Sequence, residues 1–353
     1  MISEKKYLGV GAMSGTSLDG LDIAHCEFID SKSPVHYKII RAITIPYDTS
    51  WRKRLENAYC LSGLELIQLH KEYGLFIGER IATFISPLNA TPDYIASHGH
   101  TIFHNPAKNL TFQLGDGASI AASTNTETIT DFRSLDVALN GQGAPLVPIG
   151  DQMLFNEYDY CLNLGGFANV SYQSADRRVA FDVCPVNISI HHIAKKFGKK
   201  MDENGEIARQ GETDSALLEI LNALEYYHIQ PPKSLGREWL EENVIPALDN
   251  SGISLQDQMR TLYEHIVFQL TRALSPNKKI LVTGGGAKNT FLIELLSKKT
   301  NGDICIPDML VVDYKEALIF AFLGLLRLKN IPNCLSSVTG ARKDNIGGII
   351  YKI

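Results

Sequence analysis

The sequence predicts an α/β protein built from two related halves, and three observations carry that prediction. Apolar strand-like runs alternate with amphipathic helical stretches along the chain. A strand–glycine–strand unit opens it and recurs at mid-chain, with Gly15 and Gly165 lying 150 residues apart. A third glycine site, Gly284-Gly285-Gly286, joins a buried strand to a helix in the last quarter. Two similar hairpins one domain length apart point to a duplicated architecture. We therefore expect subdomains over residues 1–155 and 156–353.

The first unit begins with an apolar strand, Tyr7 to Met13, and a tight polar turn, Ser14-Gly15-Thr16-Ser17. Leu21, Ile23, Cys26 and Phe28 carry a second run that pairs back on the first. His36 to Tyr47 reads as a third strand that ends at Pro46. A helix is expected over Ser50 to Cys60, with Ser50 as its N-cap. From Gly63 to Ile85 the apolar residues Leu66, Leu69, Tyr73, Phe76, Ile77, Ile81 and Phe84 recur at helical spacing. Tyr94–Ser97, Leu110–Leu114 and Glu127–Thr130 read as short strands, and Gly117–Thr124 as a short helix. Asp131 to Pro148, DFRSLDVALNGQGAPLVP, breaks the pattern with Gly141, Gly143, Pro145 and Pro148. It reads either as a functional loop or as an interdomain linker.

The second unit opens with YCLNLGGFANVSY, Tyr160 to Tyr172, and a strand at Val179–Asp182. A helix runs through Phe197, and Lys199–Gly211 is a polar loop or helix start. Leu217–Leu224 is helical, Pro231–Trp239 leads into another helix, and Ser254–Leu274 is long and amphipathic. The strand Lys279–Thr283 enters the three glycines, and a helix from Asn289 sets Phe291, Leu292, Leu295 and Leu296 on one face. A short strand at Ile304, a helix over Lys315–Arg327 and a strand-like end after Gly347-Gly348 complete the chain.

Composition narrows the function. The 353 residues are 44% hydrophobic and 21% charged, enough for a sizeable core. The net charge of −5 comes with no basic block, which argues against a nucleic-acid or anionic-membrane partner. No 18-residue apolar run and no signal-peptide pattern are present in the sequence. Six scattered cysteines without a CxxC pair suit a reducing cytoplasm.

The glycine sites carry the candidate chemistry. Gly15 lets backbone N–H groups approach an anion, while Thr16 and Ser17 can donate to phosphate oxygens. Asp19 and Asp22 are acceptor-only carboxylates able to hold Mg²⁺ through water. Taken alone, an ordinary glycine turn is the plainer explanation. A strand running through glycines into a helix presents helix N–H groups to a ligand, usually a phosphate or nucleotide. His98 and His100 share one face of a strand, as metal ligands or as hydrogen-bonding groups. Arg133 can grip a substrate carboxylate or pair with Asp131 or Asp136.

The order hairpin, hairpin, adenosine glycines resembles the actin, Hsp70 and sugar-kinase superfold. Within it, MSGTSLDGLD (Met13 to Asp22), SHGHTIFH (Ser97 to His104), DFRSLD, GQGAPLVP, LNLGGFANVS and FDVCPVN (Phe181 to Asn187) resemble, in order, the 1,6-anhydro-N-acetylmuramic acid kinase family. PPKSLGRE, GGGAKN, EALIFAF (Glu316 to Phe322) and SSVTGA continue the match over nearly the whole chain. The resemblance implies a two-domain actin-like ATPase fold, with ribonuclease-H-like sheets flanking a nucleotide cleft.

It also implies a cytoplasmic enzyme of cell-wall recycling, a homodimer, that uses ATP, Mg²⁺ and water to make N-acetylmuramic acid 6-phosphate. Asp182 would be the general base and Glu316 an active-site partner. Nucleotide contacts would come from Gly15, Thr16, Ser17, Asp19, Gly20, Asp22, Gly165, Gly166, Gly284, Gly285 and Gly286, with Asp19 also near the metal. Sugar contacts would come from His98, Arg133, Asp136, Gln142 and Asn187. The chain departs from the family pattern at Cys184 and Val186, where glycines are expected, at His191, where an Asp is expected, and at His100, commonly Gln. Side chains at 184 and 186 are expected to narrow the sugar pocket or to shift the loop. That leaves two alternatives: a kinase shifted to another anhydro or amino sugar, or a silent nucleotide-binding sensor.

Overall fold

A computed structural model describes residues 5–15, 18–30, 35–87 and 91–353. The chain divides into two units, Met1–Leu154 with Tyr314–Ile353, and Phe155–Asp313. In the first, β1 (Lys5–Ser14), β2 (Gly20–Asp30) and β3 (His36–Pro46) form an antiparallel meander. β4 (Tyr94–Ser97) returns parallel to β1. β5 (His100–Asn105) and β6 (Leu110–Leu114) make a separate hairpin, and β7 (Thr128–Thr130) lies parallel to β4. The helix Gly63–Ile85 makes the crossover from the meander to β4. It starts in a capping box in which Ser62 and Glu65 satisfy each other's backbone N–H. Its Leu69, Tyr73, Ile77 and Ile81 bury against Val10, Ala12, Leu21, Ile23 and Ile95 of the sheet. Each such side chain contributes roughly 1.5–3 kcal/mol on burial.

The second unit repeats this plan. β8 (Tyr160–Leu164), β9 (Phe167–Ser174) and β10 (Arg177–Pro185) form an antiparallel meander. β11 (Lys279–Thr283) runs parallel to β8, and β12 (Asp303–Cys305) parallel to β11. The order β10-β9-β8-β11-β12 matches β3-β2-β1-β4-β7 strand for strand. The glycine turns at 15 and 165 occupy the same place, the end of the first strand of each meander. The duplication expected from their spacing is therefore a duplication of sheet topology.

The first unit also holds the chain's end, which the sequence assigned to the second subdomain. β13 (Ile349–Tyr351) pairs antiparallel with β7. The helical run Met309–Leu328 breaks at Tyr314, with φ −120° and ψ 19°, and the residues after the break belong to the first unit. They lie directly on β1: a Cβ at Gly11 would sit 1.8 Å from the Ala317 carbonyl oxygen. Only glycine permits that approach. Hydrophobic periodicity could not report it, since an apolar helix looks the same whichever sheet it covers.

Smaller differences have local causes. Asp48, not Ser50, caps the helix Thr49–Glu56, accepting the Trp51 N–H at 2.7 Å. Within the expected 131–148 loop, Ser134–Ala138 and the helix Val147–Leu154 form flanking turns. The helix after the triple glycine begins at Thr290, one 3₁₀ turn later than the glycines, with Asn289 as its cap.

One carboxylate joins the loop to the chain's end. Asp136 is fully buried and accepts from the Gly143 N–H, the Thr339 hydroxyl and the Asn345 amide at 2.8, 2.9 and 2.8 Å, and from the Cys334 thiol at 3.0 Å. Asp136→Ala strands these donors in a dry site, where charge-assisted bonds are worth ~1.5–3 kcal/mol each and are not additive. We expect a loss of roughly 3 kcal/mol or more in chemical denaturation; a loss below about 0.5 kcal/mol, the range of ordinary surface changes, contradicts the account.

Candidate active site

In the first unit the site residues sit where strands end. Ser14 closes β1, and its hydroxyl meets Nδ1 of His100 at 2.9 Å and accepts from Tyr47 Oη at 2.7 Å, with Tyr73 Oη beyond. The Gly15 carbonyl accepts the Leu18 N–H at 3.3 Å. Thr16 and Ser17 lie outside the described residues. Gly20 has an internal reason to be glycine, since a Cβ would fall 2.6 Å from the Ile45 carbonyl oxygen. Asp19 is exposed, and Asp22 accepts the Thr44 hydroxyl at 2.6 Å.

His98 and His100 part company. Gly99, at φ +72°, reverses the chain between them, so they do not share a strand face. His98 Nδ1 lies 3.0 Å from the Gly99 carbonyl, which can only accept. The proton is therefore on Nδ1, and Nε2 accepts from Arg133 Nε–H at 2.9 Å. Burial first, then Arg133, holds the His98 pKa well below its usual value. Burial likewise lowers His100 to about 4. Both are hydrogen-bonding groups, and no group of three metal-ligating side chains occurs among the described residues.

Arg133 also donates from Nη1 to the Gly143 carbonyl at 2.5 Å. It bonds to neither Asp131 nor Asp136, the pairing one reading allowed. Burial lowers its pKa to about 10, with Glu316 the largest opposing influence, so it stays cationic at neutral pH. Asp136, expected against the sugar, is instead shut inside the fold. Gln142 is exposed at the side chain while its N–H donates to the Thr339 carbonyl at 2.8 Å.

Glu316 follows Lys315, whose ammonium is buried against Asp151 at 2.7 Å. The surrounding protein raises the Glu316 pKa and Asp22 adds to it, while Arg133 and Lys315 oppose. Glu316 is solvent-accessible although protein surrounds it, and that access screens the shift.

In the second unit Gly165 and Gly166 turn β8 into β9. Their carbonyls are taken by the N–H groups that open the helix Asn187–Lys196: Asn187 to Gly165 at 3.2 Å, and Val186 and Ile188 to Gly166 at 2.8 and 3.3 Å. The Asn187 side chain donates to the Leu164 carbonyl at 3.0 Å, so it braces the hairpin. Gly284, at φ +81°, has Asn163 Oδ1 2.6 Å from where a Cβ would be, and Gly286 has Leu164 Cβ equally close. The fold requires glycine at both. Gly166 and Gly285 differ: a Cβ would meet only Ile188 at 3.9 Å or Asn187 at 3.5 Å, in ordinary contact. Both are exposed.

Asp182 lies in β10 just before a register shift. Oδ2 accepts the Leu235 N–H at 2.9 Å, and Oδ1 has no partner among the described residues. Burial raises the pKa above 3.8, with the Leu235 N–H acting the other way. Sequence reasoning missed Leu235 and Tyr226, whose hydroxyl donates to the Asp182 carbonyl at 2.6 Å. PPKSLGRE was the available signal for Leu235, but a backbone donor leaves no mark on residue type.

Comparison with known proteins gives one answer. The family described as Anhydro-N-acetylmuramic acid kinase matches residues 5–353. A protein of that description from Pasteurella multocida is 34% identical, covering 97% of this chain and 96% of its own. One from Gloeobacter violaceus is 34% identical over 95% and 96%, and one from Legionella pneumophila 32% over 98% of each.

The departures at 184 and 186 do not narrow any pocket. Cys184 and Val186 are fully buried in the second unit's apolar core. Val186 has φ −123° and ψ −94°, outside the left-handed region that favours glycine. His191 lies in the helix Asn187–Lys196, half-buried. Val186→Gly should cost ~2–4 kcal/mol through the cavity and added chain freedom. The preference among sugars, measured by ADP release, should stay as it was; a changed preference overturns this assignment.

Proposed function

The chain belongs to the anhydro-N-acetylmuramic acid kinase family, and we propose that Asp182 is the general base of its reaction. The enzyme is an ATP-dependent kinase that opens 1,6-anhydro-N-acetylmuramic acid and phosphorylates O6 in peptidoglycan recycling. The observation that carries the Asp182 reading is its asymmetry: one oxygen is fixed by a backbone donor and the other is free among the described residues, in surroundings that favour taking a proton.

Asp182 takes a proton from water as the water oxygen bonds to C1 of the sugar. The C1–O6 bond breaks, and the electron pair left on O6 attacks the γ-phosphorus. The bond from that phosphorus to the β-phosphate oxygen then breaks, giving ADP. The phosphoryl group thus takes the place of a proton on O6, and no separate acid is needed. On the first unit we assign Arg133 to anionic parts of the reactants: two carbonyl- or ring-directed bonds fix it, and its remaining N–H groups have no partner among the described residues. The neutral His98 orients it without competing charge.

Gly166 and Gly285 are assigned to the nucleotide, because among the described residues an added Cβ would meet only Ile188 or Asn187, at ordinary contact distance. Mg²⁺ fits the carboxylates Asp19 and Asp22, since it needs only one or two beside phosphate oxygens. When bound it would neutralise phosphate charge beside Asp22, the carboxylate that adds to the upward shift of Glu316. We also propose a cytoplasmic location, where ATP is supplied and the six free cysteines are stable. A homodimer is the assembly the resemblance implies, to be tested by sedimentation.

Asp182→Asn should lower turnover ~10²–10⁴-fold with ATP affinity retained, because the amide keeps the shape and cannot take the proton. In ¹⁸O-water the wild type should label the C1 hydroxyl and leave the phosphate unlabelled. Wild-type turnover in the Asn variant refutes the base assignment. The base must be ionised, so activity should fall as pH drops through its raised pKa, placing the acid limb above 3.8.

Gly166→Val and Gly285→Val should leave stability within ~0.5 kcal/mol. A non-hydrolysable ATP analogue should bind at least about tenfold more weakly, or 1.4 kcal/mol. Unchanged binding in both removes the nucleotide from these glycines.

A further inference from the structure

β10 is an edge strand of the second sheet, with β9 on one side only. At Asp182 its outer edge is covered by the segment from Tyr226 to Leu235. Three hydrogen bonds join the two. The Asp182 N–H donates to the Lys233 carbonyl at 3.2 Å, the Tyr226 hydroxyl donates to the Asp182 carbonyl at 2.6 Å, and the Leu235 N–H donates to Asp182 Oδ2 at 2.9 Å. The backbone is thus gripped on both sides of the residue and the carboxylate is gripped as well.

The segment is also closed on itself. Lys233 Nζ donates to the Tyr226 carbonyl at 3.0 Å and lies over the Tyr226 and Phe181 rings at 4.5 and 5.8 Å. Tyr226 in turn packs on Trp239 and Tyr227, with ring centroids 5.3 and 5.8 Å away. A loop on a sheet edge is ordinarily loose. This one is pinned at the single position where the register of β10 shifts, between Asp182 and Cys184.

We propose that Tyr226 and Lys233 are positioning residues for catalysis: they hold the Tyr226–Leu235 strap so that the Leu235 N–H fixes one Asp182 oxygen and turns the other to the water. This rests on Asp182 being the base. The bond to Oδ2 stabilises the ionised form, so the strap governs both the direction and the basicity of the carboxylate. Neither side chain touches the carboxylate itself, and neither needs to contact sugar or nucleotide for the effect.

Tyr226→Phe deletes only the hydroxyl and keeps the ring packing. Lys233→Met deletes the charge and keeps the stem. Each should lower kcat by ~10–10²-fold, the effect of a modest misplacement of a catalytic group, with KM for ATP unchanged. Each should also move the acid limb of the pH–kcat profile upward, because a loosened Leu235 N–H no longer favours ionised Asp182. A merely structural role would leave that limb in place.

In the Asp182→Asn background, Tyr226→Phe should cause no further loss. Wild-type kcat and acid limb in both variants overturn the proposal, as does a full additional loss in the double variant. Wild-type turnover in Asp182→Asn alone is a different result, which removes the base reading itself.

Discussion

The first unit depends on one buried charge. Asp136 has no solvent, and its carboxylate is satisfied only by donors drawn from Gly143 and from Cys334, Thr339 and Asn345 near the chain's end. A buried carboxylate without such donors would cost several kcal/mol, so the glycine-rich loop and the last segment must come together around it. The consequence reaches the chemistry. Gly143, fixed through its N–H by Asp136, offers its carbonyl to Arg133, and Arg133 meets His98. A buried carboxylate thereby sets the placement of the Arg133 guanidinium.

The second unit solves the same problem with backbone rather than with a buried ion. There the Asp182 carboxylate accepts the Leu235 N–H, while the residue's backbone N–H and carbonyl are held by the Lys233 carbonyl and the Tyr226 hydroxyl of the same strap along a sheet edge. The two units share a strand order, and each puts a glycine turn at the end of its first strand. What differs is the added layer. The first unit gains β13 and the helix after Tyr314, while the second gains the strap and the triple-glycine turn. Two sheets of one strand order thus carry different additions.

The substituted positions near Asp182 show a motif varying where the added side chains face the core. Cys184 and Val186 turn into the core, and the burial that raises the Cys184 thiol pKa also makes it unreactive. A departure from a family's glycines signals a new specificity only when the added side chain faces the ligand. Here two of the departures that motivated a shifted sugar, Cys184 and Val186, lie in the core, and Asn187 braces the hairpin.

Much of this protein was legible in its sequence. Strand and helix periods located nearly every element, because each element buries one face and that face repeats along the chain. The 150-residue spacing of the glycine turns gave the duplication, and the ordered motifs gave the family. Tertiary structure alone decided the rest. Asp136 and Asp182 are both aspartates beside strand or turn signals, yet one is sealed by four donors and the other keeps one oxygen without a partner among the described residues. Gly11, Gly166 and Gly285 are the same residue, but one accommodates a helix backbone, and at the other two a Cβ would meet only ordinary contacts. The Leu235 N–H and the capture of the chain's end by the first sheet involve groups every residue has, or partners far away in sequence. Residue type records what a side chain can do; which partners reach it is fixed only when distant segments close on one another.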